Sequence, residues 1–191
     1  MRTTGKILTA VAFAMIAFVG TASAQYTIAT FADPSPGAAN PLFELDGNLF
    51  SGSWQDTGLL LQTPGLTAPD YVDATFTTTT MTVVGPYQLS GGTVSFADSG
   101  GAPLFDIDFE SAYLLPSMAF GANDFMANNV VFSGPIIDGV LEDEAFAFSF
   151  ANPVATPTGW TVTSAFTSSA VPEPGTLALL LLSGLGLWRR R

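Results

Sequence analysis

Leu104-Phe105-Asp106-Ile107-Asp108-Phe109-Glu110 decides the fold class. Phe105, Ile107 and Phe109 alternate with Asp106, Asp108 and Glu110. This period of two places the apolar set on one face of an extended strand and the carboxylates on the other. Ala145-Phe146-Ala147-Phe148-Ser149-Phe150 repeats the pattern with Phe146, Phe148 and Phe150 on one face. Working outward from these two runs, short β-prone stretches fall at 26–31, 48–54, 74–84, 93–97, 104–115, 129–133, 145–150 and 160–166. Turn formers stand between them: Gly91-Gly92, Ser99-Gly100-Gly101, Gly134-Pro135 and Asp138-Gly139 read as hairpin breakers. Residues 34–41 read as a loop, and 153–159 as a connection before the last strand. The pattern predicts an all-β domain, an antiparallel β-sandwich of jelly-roll or lectin-like type with about eight strands. An N-terminal signal helix and a short C-terminal apolar helix are expected to flank it.

Charge narrows what such a domain can do. The five basic residues are Arg2, Lys6, Arg189, Arg190 and Arg191, all at the chain ends. Residues 25–170 hold 15 of the 16 carboxylates and no Lys, Arg or His. Such a surface cannot neutralise phosphates, which excludes nucleic acid as a partner. Without His or Cys there is no Ser-His-Asp arrangement, thiol nucleophile or thiolate metal site. Carboxylates, hydroxyls and amides are the chemical groups left.

Both ends read as processing segments. Arg2 and Lys6 precede an apolar stretch over 7–19, and Ala22-Ser23-Ala24 supplies an A-x-A cleavage site. Residues 1–24 are therefore expected to be a signal peptide, handled by the Sec translocon and cut by signal peptidase after Ala24. Residues 25–166 form the acidic β domain, and Thr167-Ser168-Ser169-Ala170 reads as a flexible tether.

Residues 171–191 have three parts in order. Val171-Pro172-Glu173-Pro174-Gly175 comes first. An apolar run over 176–188 follows, including Leu177, Leu187 and Trp188. Arg189-Arg190-Arg191 closes the chain. The prolines disfavour helix and hold the first part extended. A helix over the 13 residues 176–188 spans about 20 Å, against about 30 Å for a hydrocarbon core. That length suits a temporary hold in the inner membrane, with the arginines on the cytoplasmic side. The tripartite tail closely resembles the PEP-CTERM family of sorting tails. The resemblance implies processing by exosortase, a membrane-embedded cysteine protease/transpeptidase acting near Pro-Glu-Pro. It further implies delivery to the cell surface or extracellular matrix of a Gram-negative bacterium, in company with exopolysaccharide and biofilm.

Candidate ligand groups are few. Asp106, Asp108 and Glu110 stand about 6.8 Å apart along one strand face and are the calcium candidates. Glu142-Asp143-Glu144 is a second acidic run. Neither matches a closed ligand pattern, so no catalytic residue, cofactor or dedicated metal site is assigned. Trp54, Trp160, Tyr71, Tyr87 and Tyr113 are candidates for stacking on sugars. Thr75, Thr77 and Thr79 share a strand face, as expected of a good β former. The leading expectation is a non-enzymatic, exosortase-sorted surface or matrix protein. The alternatives are a glycan- or calcium-binding matrix module, a secreted carboxylate-dependent glycoside hydrolase, and adhesion through exposed sheet edges.

Overall fold

Eleven antiparallel strand segments build the domain in the computed structural model, which describes residues 26–32, 42–54, 59–67, 70–115, 124–139 and 141–172. They are β1 (Tyr26–Ala32), β2 (Phe43–Asp46), β3 (Leu49–Trp54), β4 (Thr75–Thr78), β5 (Met81–Gly85) and β6 (Gln88–Ala97). Then come β7 (Pro103–Leu114), β8 (Phe125–Asn128), β9 (Val131–Ser133), β10 (Leu141–Ala155) and β11 (Gly159–Pro172). No helix occurs among the described residues. The expected signal peptide, with Ala22 and Ala24, and the tail from Glu173 to Arg191 lie outside them.

Ladders join β2 to β3, β3 to β4 and β5, β4 and β5 to β6, β6 to β7, β7 to β8 and β9, β8 to β10 and β10 to β11. β1 and β2 share one position beside β11, β4 and β5 one position between β3 and β6, and β8 and β9 one position beside β7. β11 closes the circuit by returning to β1 and β2. The eleven segments thus occupy eight positions of one closed up-and-down barrel. This corrects the expected sandwich. Local alternation requires an apolar face but is indifferent to whether that face meets a second sheet or curls onto itself. The long strands β6, β7, β10 and β11, of 10, 12, 15 and 14 residues, take half of the eight positions, and twist along such strands is what allows a sheet to close.

The eight positions pair in a circle, which leaves little free sheet edge among the described residues. Where β10 overhangs β8, a register shift between Ala151 and Val154, Asn152 at φ 51° and Pro153 interrupt the strand. Bulges and proline of this kind blunt an exposed edge.

Phenylalanine fills the barrel. Every described phenylalanine is buried. Phe43 from β2, Phe76 from β4 and Phe166 from β11 stand within ring contact of Phe148 on β10. An eight-position barrel has an interior just wide enough for side chains, and here aromatic rings occupy it. Outward positions carry many Thr, Ser, Asp and Glu, with single apolar residues such as Tyr113, Met126 and Val131 among them. One cross-strand row runs Ser53, Thr77, Ser95, Asp106 and Ser133 from β3 to β9. An apolar interior with a polar exterior is the reverse of the lipid-facing pattern of a membrane barrel.

Gly91-Gly92, expected to break a hairpin, lies inside β6. A Cβ on Gly91 would stand 2.6 Å from the Phe109 carbonyl oxygen, so glycine permits the close approach of β6 to β7. The hairpin turns instead at Pro86-Tyr87, with Tyr87 at φ 59°. The Ser99-Gly100-Gly101 turn forms as expected. Asp98 Oδ1 accepts hydrogen bonds from the Gly100 and Ala102 amides at 2.9 Å each.

The two barrel ends differ. At one end, residues 59–62 and 71–74 form a small ribbon between β1 and β4. Thr30 and Gln62 exchange backbone hydrogen bonds of 2.8 and 2.9 Å, and Leu61 and Tyr71 do the same. Leu59 and Leu61 plug this end and are buried. The opposite end, where β11 begins, carries a cavity lined by Tyr87 and Trp160 and is the mouth of the barrel.

Candidate functional site

β11 links the barrel to the tail. It runs from Gly159 at the mouth to Pro172 at the plugged end. Thr167-Ser168-Ser169-Ala170, expected to be a tether, is paired on both sides instead. Thr167, Ser169 and Ala170 are partners of Thr30, Thr27 and Tyr26 on β1. Thr167, Ser168 and Ser169 are partners of Ala147, Phe146 and Ala145 on β10. Small hydroxyl residues suit a linker by composition, but they suit a strand equally once two neighbours supply ladder partners. The ladder reaches into the tail motif: Val171 is the partner of Glu142 and Pro172 of Leu141. The compact unit that holds the barrel spans Gln25–Pro172.

A model of the PEP-CTERM protein-sorting motif matches residues 170–191. The chain ends in a PEP-CTERM sorting tail. That tail implies exosortase as the processing partner and an exported protein directed to the cell surface. No curated protein and no solved structure matches the chain. The sorting segment and the barrel join at Ala170–Pro172, where three residues serve both.

The calcium candidates lie along the outer face of β7. Thr93 Oγ1 donates to Asp108 Oδ1 at 2.5 Å, and Asn129 Nδ2 donates to Glu110 Oε2 at 2.6 Å. Asp106 stands between Ser95 and Ser133 in the cross-strand row. Among the described residues no group of three or more Asp or Glu is gathered closely enough to hold a metal ion. Strand geometry explains this, because successive outward residues are spread along the strand rather than folded around a centre.

The second acidic run, Glu142-Asp143-Glu144, is part of β10. The register shifts between Glu142 and Ala145, and Asp143 sits at φ 50°, which makes a bulge. The bulge turns Glu144 toward β9, where its Oε1 accepts the Phe132 amide at 3.1 Å. Burial pushes the Glu144 carboxyl above its ordinary value, and the Phe132 hydrogen bond opposes that shift.

Sequence reasoning did not single out Asp124, which is fully buried beside β8. Its Oδ2 accepts the Phe150 amide at 2.8 Å, and its own amide donates to the Phe148 carbonyl at 3.0 Å. The carboxylate thus stands in for a missing ladder partner of β10, a structural task.

The aromatic candidates divide. Trp54 is buried and Tyr71 half-buried, while Tyr113 is exposed on the outer face of β7. Trp160 and Tyr87 come together at the mouth. There they line a cavity of about 230 Å³ with Leu45, Val83, Leu114 and Leu115. Trp160 packs against Phe50 and Phe150, with centroids 5.9 and 6.0 Å away. Thr79, from the threonine row, accepts the Thr93 amide on its Oγ1 at 2.9 Å and so helps close the gap between β4 and β5. No helix among the described residues is long and apolar enough to cross a membrane.

Proposed function

We propose that this chain is an exported, non-enzymatic barrel that exosortase processes and releases into, or attaches to, the extracellular matrix of a Gram-negative bacterium, in association with exopolysaccharide. The PEP-CTERM match at 170–191 carries the reading. The N-terminal segment with Arg2, Lys6 and Ala22-Ser23-Ala24 supports export through the Sec translocon and signal peptidase. The tail would hold the protein in the inner membrane only until it is cut. The chemistry of the barrel supports a non-enzymatic role. Residues 25–170 offer no His, Cys, Lys or Arg, and the two carboxylates that share a groove on β7, Asp108 and Glu110, are engaged by Thr93 and Asn129. Fractionation tests the assignment. With exosortase present the protein should appear in the surface and matrix fractions, and without it in the inner membrane. The same distribution in both strains would defeat it.

A second reading rests on the mouth. Trp160 and Tyr87 flank a mainly apolar cavity with Gln88 as a polar neighbour. Aromatic faces beside a few hydrogen-bonding groups suit the apolar face of a sugar ring. Titration calorimetry with a panel of neutral glycans tests it. Binding lost in Trp160→Ala supports a glycan module, and no heat from any glycan removes it.

A further inference from the structure

We infer that the bulge in β10 makes the last two pairs of β11 a detachable clasp, which exosortase must open to reach the sorting motif of the folded barrel. The inference rests on the processing proposed above and concerns how that same segment is regulated. Upstream of Ala170, β11 is locked from both sides. Ser169 is the partner of Thr27 on β1 and of Ala145 on β10. Among the described residues Val171 and Pro172 have partners on β10 only, and those partners are Glu142 and Leu141. The register shift between Glu142 and Ala145 separates these two pairs from the rest of the ladder.

A bulge interrupts the cooperative run of ladder hydrogen bonds, so the segment beyond it opens without the segment before it. Pro172 has no amide hydrogen to give the ladder, which weakens the terminal pair further. A protease binds its substrate extended and released from other strands. Within the barrel the clasp can supply Val171 and Pro172 in that state, whereas releasing Ser169 means breaking pairs to two strands. The barrel therefore sets the upstream limit of the segment that the enzyme can take.

The chain contains no cysteine, so single cross-links can be placed across either side of the bulge. Two full-length variants are expressed in a host that exports and oxidises them, with and without exosortase. Glu142→Cys with Val171→Cys ties the clasp shut. Ala145→Cys with Ser169→Cys ties the ladder just before the bulge. Processing is followed as loss of the tail by mass, before and after reduction.

The clasp cross-link is expected to slow processing by more than about tenfold, reversibly on reduction, while the upstream cross-link leaves the rate within about twofold. Equal rates in the oxidised and reduced clasp variant would overturn the inference. So would a block by both cross-links, since the bulge would then not be the point of separation. The wild-type product is an independent check that does not touch the motif: its last residue is expected at or after Val171, and an end at Ala170 or upstream of it overturns the inference. A wild-type tail left intact in the exosortase strain would instead refute the processing itself.

Discussion

The rings of Phe43 on β2 and Phe148 on β10 meet with centroids 4.7 Å apart and planes 60° to one another, although β11 lies between their strands. The contact reaches over one strand, so it requires a strongly curved sheet, and Phe76 on β4 meets the same Phe148 ring from across the barrel, with centroids 6.3 Å apart. Phe148 also contacts Phe31, Phe76, Phe125, Phe146 and Phe166. Phe148→Ala should therefore lower stability by about 3–5 kcal/mol, at the upper end for a buried ring. Phe148→Leu should lose less. Urea denaturation followed by tryptophan fluorescence reports both, and a loss under about 1 kcal/mol for the alanine variant would place Phe148 outside a packed core.

These phenylalanines also show how much of the fold the sequence discloses. Alternation in β7 and β10 reveals each strand and its inward face directly. β2 carries the same signal in Phe43-Glu44-Leu45-Asp46 but is only four residues long. β8, Phe125-Met126-Ala127-Asn128, alternates in burial but not in hydrophobicity, since the exposed Met126 reads as apolar. Barrel closure depends on the pairing of β11 with β1 and β2, more than a hundred residues away in the chain, and no local pattern encodes it. The sorting motif is legible because it is local. Its overlap with β11 is not, because Thr167–Ala170 becomes a strand only through partners on β1 and β10.

Asp124 offers a sharper test of the ladder. Asp124→Ala leaves the Phe150 amide without its carboxylate acceptor in a buried setting, at a cost of about 1–3 kcal/mol. Asp124→Asn retains an oxygen acceptor at the same place and should cost less. The difference in urea midpoint between the two variants measures the acceptor. Equal losses would mean that the Phe150 hydrogen bond contributes little.

Glu144 sets a pH dependence with a definite sign. Its carboxyl has a higher pKa in the folded chain than the ordinary 4.5, so the folded state holds the proton more tightly. Its contribution to stability is greatest below 4.5 and is lost as pH rises through the raised value. Glu144→Gln, which keeps an oxygen for the Phe132 amide, should be more stable than the parent near neutral pH. The gain is expected to be roughly 0.5 kcal/mol or less after solvent screening. It should vanish in acid. A variant that is less stable at neutral pH would show that the ionised carboxylate is favoured in place.

The excess of carboxylates predicts a response to salt. Residues 25–170 hold 15 acids and no basic side chain, so added ions relieve repulsion without breaking internal ion pairs. Melting temperature should rise steadily as sodium chloride shortens the screening length from about 30 Å at 0.01 M to about 10 Å at 0.1 M. Calcium at matched ionic strength should add no saturable step, because the β7 carboxylates do not converge. A saturable calcium shift, abolished by Asp108→Asn, would instead establish a site on that face.

The central claim is that the segment joined to β11 is a processing substrate. The most direct measurement is the intact mass of the exported protein, with C-terminal peptide mapping, in isogenic strains with and without exosortase. The account predicts a product that begins near Gln25 and lacks the apolar run and Arg189-Arg190-Arg191 only when exosortase is present. The same full-length tail in both strains would contradict it.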